Sequence, residues 1–308
     1  LRLQTEAFGT SFQNPVLLAA GTCGFGQELA EVVDLDALGG FVTKSVTVEP
    51  RRGNPAPRVA EFPGGMLNSI GLANPGVEAV CRDKLPWIRA HVKRARVFVS
   101  VAGHAADDYL ALVERLDGEE GFVGYEVNLS CPNDTKRGGP PFALDPEALA
   151  RVVEGCRART ERPLLAKLAP NDPALEASVR IATDAGADGL TLVNTLPGIL
   201  LGTQGHPLLG AGPGGLSGPA LRPTGLLAVR AARAVTHLPI VGVGGVGSAA
   251  DAVAYARAGA SLVEVGTASF ADPRAGTRIV RALRRWGERA GVPAWEALVA
   301  PHPVPSEA

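Results

Sequence analysis

Two side-chain amides and a thiol stand where an apolar run breaks off, in Tyr125-Glu126-Val127-Asn128-Leu129-Ser130-Cys131-Pro132-Asn133. Tyr125, Val127 and Leu129 alternate as in a buried strand, and Pro132 with Gly138-Gly139-Pro140-Pro141 halts further pairing. Asn128 and Asn133 each offer a donor pair and an acceptor, which suits the alternating N–H and C=O edge of a planar cyclic amide. Cys131 between them can act as a nucleophile or a proton acceptor if its thiolate is accessible. The same residues could make a structural turn with an inert thiol, so the elements that would position them have to decide.

Eight short apolar runs recur: Val16–Ala20, Phe41–Val46, Val97–Ala102, Tyr125–Asn128, Leu164–Leu168, Gly189–Val193, Ile240–Val243 and Leu262–Val265. Between or after them, Asp145–Thr160, Pro173–Ala185, Pro219–Thr236, Ser248–Ala258 and Pro273–Ala290 carry the clearest helical period, with Gly186 and Gly259 just past two of the ends. Strands apolar on both faces, alternating with helices, predict a parallel sheet covered on both sides. Eight units predict a closed (β/α)₈ TIM barrel, an α/β fold in which residues 1–308 form one domain. Two stretches exceed the minimal barrel. Thr47 to Leu72, rich in Pro, Gly and Arg, is expected to form a β-ribbon at the C-terminal face. Leu196 to Ser217, rich in Gly and Pro, is expected to be a loop walling or covering the site.

Composition narrows the function classes. A net charge of −1 gives no general attraction to nucleic acid or anionic lipid. No apolar run is long enough to span a bilayer and no signal-peptide pattern is present. The four cysteines (Cys23, Cys81, Cys131, Cys156) lack the spacing of a zinc or iron–sulfur site, so no metal is expected and a reducing cytoplasm is the simplest compartment.

In such barrels chemistry sits at the C-terminal strand ends. Those ends read Thr43-Lys44-Ser45, Asn128 with Cys131, Lys167, Asn194-Thr195, Gly244-Gly245 and Gly266-Thr267. Two of the chain's five lysines thus fall where a buried ammonium needs an anionic or electron-rich partner. The glycines after the seventh and eighth strands suit a phosphate. Gly242-Val243-Gly244-Gly245-Val246-Gly247 also matches a dinucleotide fingerprint, but the acidic residue that should end the next strand is instead Glu264, inside it. A mononucleotide phosphate is the better reading. A phosphate grip, two lysines and a cysteine loop around one barrel mouth fit FMN, with Lys167 beside the N1/O2 edge of its ring.

The chain resembles the class 1 dihydroorotate dehydrogenases, over about Asn14 to Phe270. The resemblance is carried by Glu49-Pro50-Arg51-Arg52-Gly53-Asn54-Pro55-Ala56-Pro57-Arg58, by Gly65-Met66-Leu67-Asn68-Ser69-Ile70-Gly71-Leu72, by Asn128 to Asn133, and by Gly215-Leu216-Ser217-Gly218-Pro219. Gly24-Phe25-Gly26 and Gly65-Met66-Leu67 look like the 1B branch. Cys131, where class 2 enzymes have serine, speaks against class 2.

That resemblance implies oxidation of dihydroorotate to orotate on FMN in pyrimidine biosynthesis, Cys131 removing the C5 proton while hydride leaves C6 for the flavin. It implies substrate binding by Lys44, Asn68, Ser69, Ile70, Gly71, Leu72, Asn128, Asn133, Asn194 and Thr195. It implies FMN binding by Ala20, Lys44, Ser45, Ser100, Asn128, Lys167, Val193, Gly218, Gly244, Gly245, Gly266 and Thr267. Ser100 stands where the family usually has asparagine, and Ala20 where serine is common. The 1B resemblance further implies a homodimer joined to an electron-transfer subunit that carries FAD and a [2Fe–2S] cluster and passes electrons to NAD⁺. The competing readings are the fumarate-using 1A branch, a flavin reductase of another pyrimidine ring such as dihydrouracil, an RNA dihydrouridine synthase, and a flavin-free phosphate-binding barrel.

Overall fold

The computed structural model describes residues 1–130 and 141–302. Its strands, in chain order, are β1 (Thr5–Ala7), β2 (Thr10–Phe12), β3 (Val16–Leu18), β4 (Gly40–Val42), β5 (Val59–Phe62), β6 (Gly65–Asn68) and β7 (Arg96–Val101). They continue with β8 (Gly124–Asn128), β9 (Leu164–Lys167), β10 (Gly189–Leu192), β11 (Leu196–Gly198), β12 (Gly214–Ser217), β13 (Ile240–Val243) and β14 (Leu262–Val265). β3, β4, β7, β8, β9, β10, β13 and β14 pair in parallel, each with its successor, and β14 closes on β3. This is the predicted (β/α)₈ barrel. Seven of its eight strands begin and end within two residues of an apolar run read from the sequence; β4 starts one residue before its run but stops at Val42, short of the expected Val46. Those runs are apolar throughout because the helices bury one face and the barrel interior the other.

Helix ends follow local chemistry. Asp145 caps Pro146–Arg157 by accepting the Ala148 N–H at 3.1 Å. Ser248 accepts the Asp251 N–H at the start of Ala249–Ala258, and Gly259 ends that helix with φ +117°.

Two features go beyond the sequence reading. An N-terminal hairpin, β1 against β2, plugs the end of the barrel opposite the strand C-termini. Phe12 stacks on Phe98 with ring centroids 6.4 Å apart, and Phe8 packs edge-on to both, over Leu17, Val42, Leu165, Val241 and Leu262. The stretch Leu196–Ser217 is not wholly loop. Its two ends are β11 and β12, which extend the expected β5–β6 ribbon into a four-stranded antiparallel sheet in the order β11-β12-β6-β5.

Among the described residues no helix is long and apolar enough to cross a membrane. None of their His, Cys, Asp and Glu side chains gather in threes that could hold a metal ion.

Candidate active site

A cavity of about 280 Å³ lies between the C-terminal ends of the barrel strands and the four-stranded sheet. The strands contribute Ala20, Lys44, Ser45, Asn128, Lys167, Val193, Asn194 and Thr195. The sheet and the turn after it bring Met66, Asn68, Ile70, Gly71, Leu72 and Ser217 over them. Gly218, Gly244, Gly245, Gly266 and Thr267 form one end, and the half-exposed Phe270 and Val59 stand at the rim.

The amides are locked together across strands. Asn128 Nδ2 donates to Ser45 Oγ at 3.2 Å, and Asn194 Nδ2 donates to Asn128 Oδ1 at 3.3 Å and Ser130 Oγ at 3.1 Å. The Thr195 N–H donates to Asn194 Oδ1 at 2.8 Å. Such a network fixes which face each amide turns to the cavity. On the other wall Asn74 steers the turn after β6. Its Nδ2 donates to the Leu72 carbonyl at 2.8 Å while its Oδ1 accepts from Thr47 and Gly76. That hold accompanies Leu72 at φ +55°, a left-handed conformation leucine rarely adopts.

The glycine end is a cradle for an anion. Among the described residues no backbone carbonyl takes the N–H of Gly244, Gly245, Gly266 or Thr267. Gly244 and Gly245 have φ +124° and +68°, and a Cβ on Gly245 would stand 2.8 Å from both the Arg222 Cβ and the Gly218 carbonyl. Gly245→Ala is therefore expected to cost about 1–3 kcal/mol through backbone strain and crowding. Urea unfolding checks this, and an unchanged midpoint would contradict it.

Lys167 is nearly buried, and its Nζ lies 3.1 Å from Glu126 Oε1 and 3.7 Å from Glu264 Oε2. Burial alone would push the ammonium's pKa down, but the two carboxylates hold it above the ordinary lysine value. Burial, then Glu126, push Glu264 up to about 8, against the opposing pull of Lys167.

Most residues singled out from the sequence thus meet around one cavity. Two do not line it. Ser100 is fully buried behind Ser45, their hydroxyls 2.8 Å apart, so it supports a lining residue instead of facing the cavity. Ser69 is turned into the ribbon, where its hydroxyl accepts from Asn54 Nδ2 at 2.8 Å. Cys131 and Asn133 lie outside the described residues. Glu126 and Glu264 were not anticipated as part of the site. A carboxylate inside an otherwise apolar barrel strand is the signal that could have found both, since it needs a buried partner.

A family model described as dihydroorotate dehydrogenase matches residues 2–286. The chain belongs to that family. One relative, from Solibacter usitatus and provisionally named dihydroorotate dehydrogenase A (fumarate), is 46% identical over 94% of this chain and 95% of its own length. The B (NAD(+)) catalytic subunit of Pelobacter propionicus is 44% identical over 92% and 93%. That of Desulforudis audaxviator is 44% identical over 92% of each. Several further relatives bear the B-type catalytic-subunit name, in agreement with the 1B resemblance in the sequence. As a member of the dihydroorotate dehydrogenase family, the chain is an oxidoreductase.

Proposed function

We propose that this chain oxidises dihydroorotate to orotate in pyrimidine biosynthesis, with FMN held across the barrel mouth and electrons passed through a partner subunit to NAD⁺. The observation that carries this reading is the layout of one cavity: an anion cradle of unpaired backbone N–H groups at one end, a buried ammonium and locked amides at the other.

These residues fit FMN. Gly244, Gly245, Gly266 and Thr267 would hold its phosphate, while Lys167 would face the electron-rich edge of its ring. When bound there, FMN supplies the acceptor for the hydride that leaves substrate C6. The protein's own part is to bind, orient and deprotonate. Asn68, Asn128, Asn194 and Thr195, with Asn133, would read the alternating amide edge of dihydroorotate, and Lys44 would add positive charge for its carboxylate. Cys131 would take the C5 proton, which is acidic because C5 is α to the C4 carbonyl. The half-reaction is assigned to a single domain spanning residues 1–308, working as a homodimer in the cytoplasm.

The 1A alternative keeps one specific support, the Solibacter usitatus relative with its fumarate name. Acceptor assays separate the branches. The purified chain is expected to bleach its flavin with dihydroorotate under anaerobic conditions yet form NADH only slowly. Adding an FAD and [2Fe–2S] partner is expected to restore NADH formation. Rapid NADH formation by the chain alone would overturn the partner assignment, and rapid turnover with fumarate alone would establish the 1A reading. Tighter binding of uracil than of orotate would favour the dihydrouracil-type reductase.

A further inference from the structure

Directly under the cavity floor the barrel holds more acid than base. Glu126 on β8 and Glu264 on β14 are fully buried, and among the described residues the ammonium that reaches both is Lys167 on β9. With all three charged, the barrel interior would carry a net negative charge. Yet among the described residues Glu126 Oε2 and both Glu264 oxygens find no hydrogen-bond donor, and the buried Thr191 hydroxyl on β10 finds no partner. The two carboxyl groups gather on the same ammonium, at 3.1 and 3.7 Å from Lys167 Nζ, and at such close quarters two carboxylates repel whereas an acid and a carboxylate attract. Burying an uncompensated charge is so costly that such a group neutralises instead. The Cys23 thiol, on the turn after β3, also senses Glu264, and burial pushes that thiol's pKa up, so it stays neutral.

We propose that Glu264 is a positioning residue that works as a neutral acid. It donates its proton to the Glu126 carboxylate, leaving one negative charge to balance Lys167 and so keeping the ammonium's field directed into the cavity. Loss of that proton to solvent puts a second negative charge beneath Lys167 and cancels its attraction for an anionic ring. The ligand half of this proposal rests on the FMN reading; the stored proton does not. Glu264 is also the acidic residue that the glycine motif left without a dinucleotide role. Here it serves the floor of the site.

The sign of the pH effect follows from the raised value of Glu264. Its contribution to stability is complete below the ordinary carboxylate value of 4.5 and is lost as pH rises through about 8. Glu264→Gln carries the neutral form at every pH. The gap in melting temperature between E264Q and the parent is therefore expected to widen by several degrees in the variant's favour as pH rises across that window. An isotope-edited infrared spectrum with labelled glutamate should show a protonated-carboxyl band in the parent that fades through about pH 8 and is missing from E264Q. The flavin reduction potentials of the two proteins should coincide at lower pH. Above about pH 8 the parent should fall behind by a factor of ten in reduced-flavin stability, about 30 mV for a two-electron couple.

Parallel melting curves with no acid band would overturn the stored proton. A band and diverging curves with coincident potentials would overturn its coupling to the floor charge. Failure of the parent to bind FMN would sink the functional reading and the ligand half with it, leaving band and melting curves to judge the proton. Should E264Q fail to fold, Glu126→Gln is the second variant: Glu264 then pairs alone with Lys167 and ionises. Persistence of the acid band in E126Q would overturn the proposal.

Discussion

Replacing Cys131 with alanine is expected to slow flavin reduction by dihydroorotate about 10²- to 10⁴-fold, the range general-base catalysis supplies, while orotate still binds. Ser130, the described residue that precedes Cys131 in sequence, is tied to the cavity-lining Asn194. Its hydroxyl accepts from the Asn194 amide, and the Ala143 N–H donates to the Leu129 carbonyl at 3.0 Å. The described lining has no better base. Its ionisable side chains are Lys44 and Lys167, and Lys167 is held in its charged form by two glutamates. No other thiol can stand in. Burial pushes Cys81 up to about 11 and Cys156 to about 12, and Cys23 higher still. Anaerobic stopped-flow bleaching of the flavin band measures the effect. Bleaching by Cys131→Ala at near the parent rate would remove Cys131 from the role.

The parts of the fold legible in the sequence are those with a local cause. Apolar runs buried on both faces marked all eight barrel strands, and Gly259 marked a helix end because its φ of +117° suits glycine. What escaped depends on partners far away in the chain. β11 and β12 look like loop because their glycines and prolines carry no strand pattern; β12 becomes a strand by pairing with β6, about 150 residues earlier for Gly215 with Asn68, and β11 by pairing with β12. Phe8 and Phe12 gave no sign that they would plug the barrel, since that contact is made with Phe98. The site divides the same way. Strand-end residues could be counted off from the strands, whereas Ser69 and Ser100 turn away from the cavity through contacts with Asn54 and Ser45.

Lys167→Met should be the most destabilising single change at the site. Methionine fills much of the lysine stem's volume, so the loss is chiefly the ammonium that Glu126 and Glu264 share. Removing one partner of a buried ion pair typically costs about 3–5 kcal/mol, because the remaining charge is stranded. The loss should depend on pH in a stated direction. Without the ammonium Glu264 loses the one neighbour that favours its charged form, so its folded value rises further above the ordinary 4.5. Stability supplied by a group raised in this way is complete below its unfolded value and drains away as pH climbs through the folded one. The variant should therefore be weakest under alkaline conditions and recover toward pH 5 or so. A second change, Glu126→Gln, should return most of the lost stability by leaving a single carboxyl that Glu264 can keep protonated. Urea unfolding of the parent, the single variant and the double variant at two pH values measures all of this. If the double variant is no more stable than Lys167→Met at either pH, the cost comes from packing, and the buried charges beneath the cavity are not what the ammonium holds in balance.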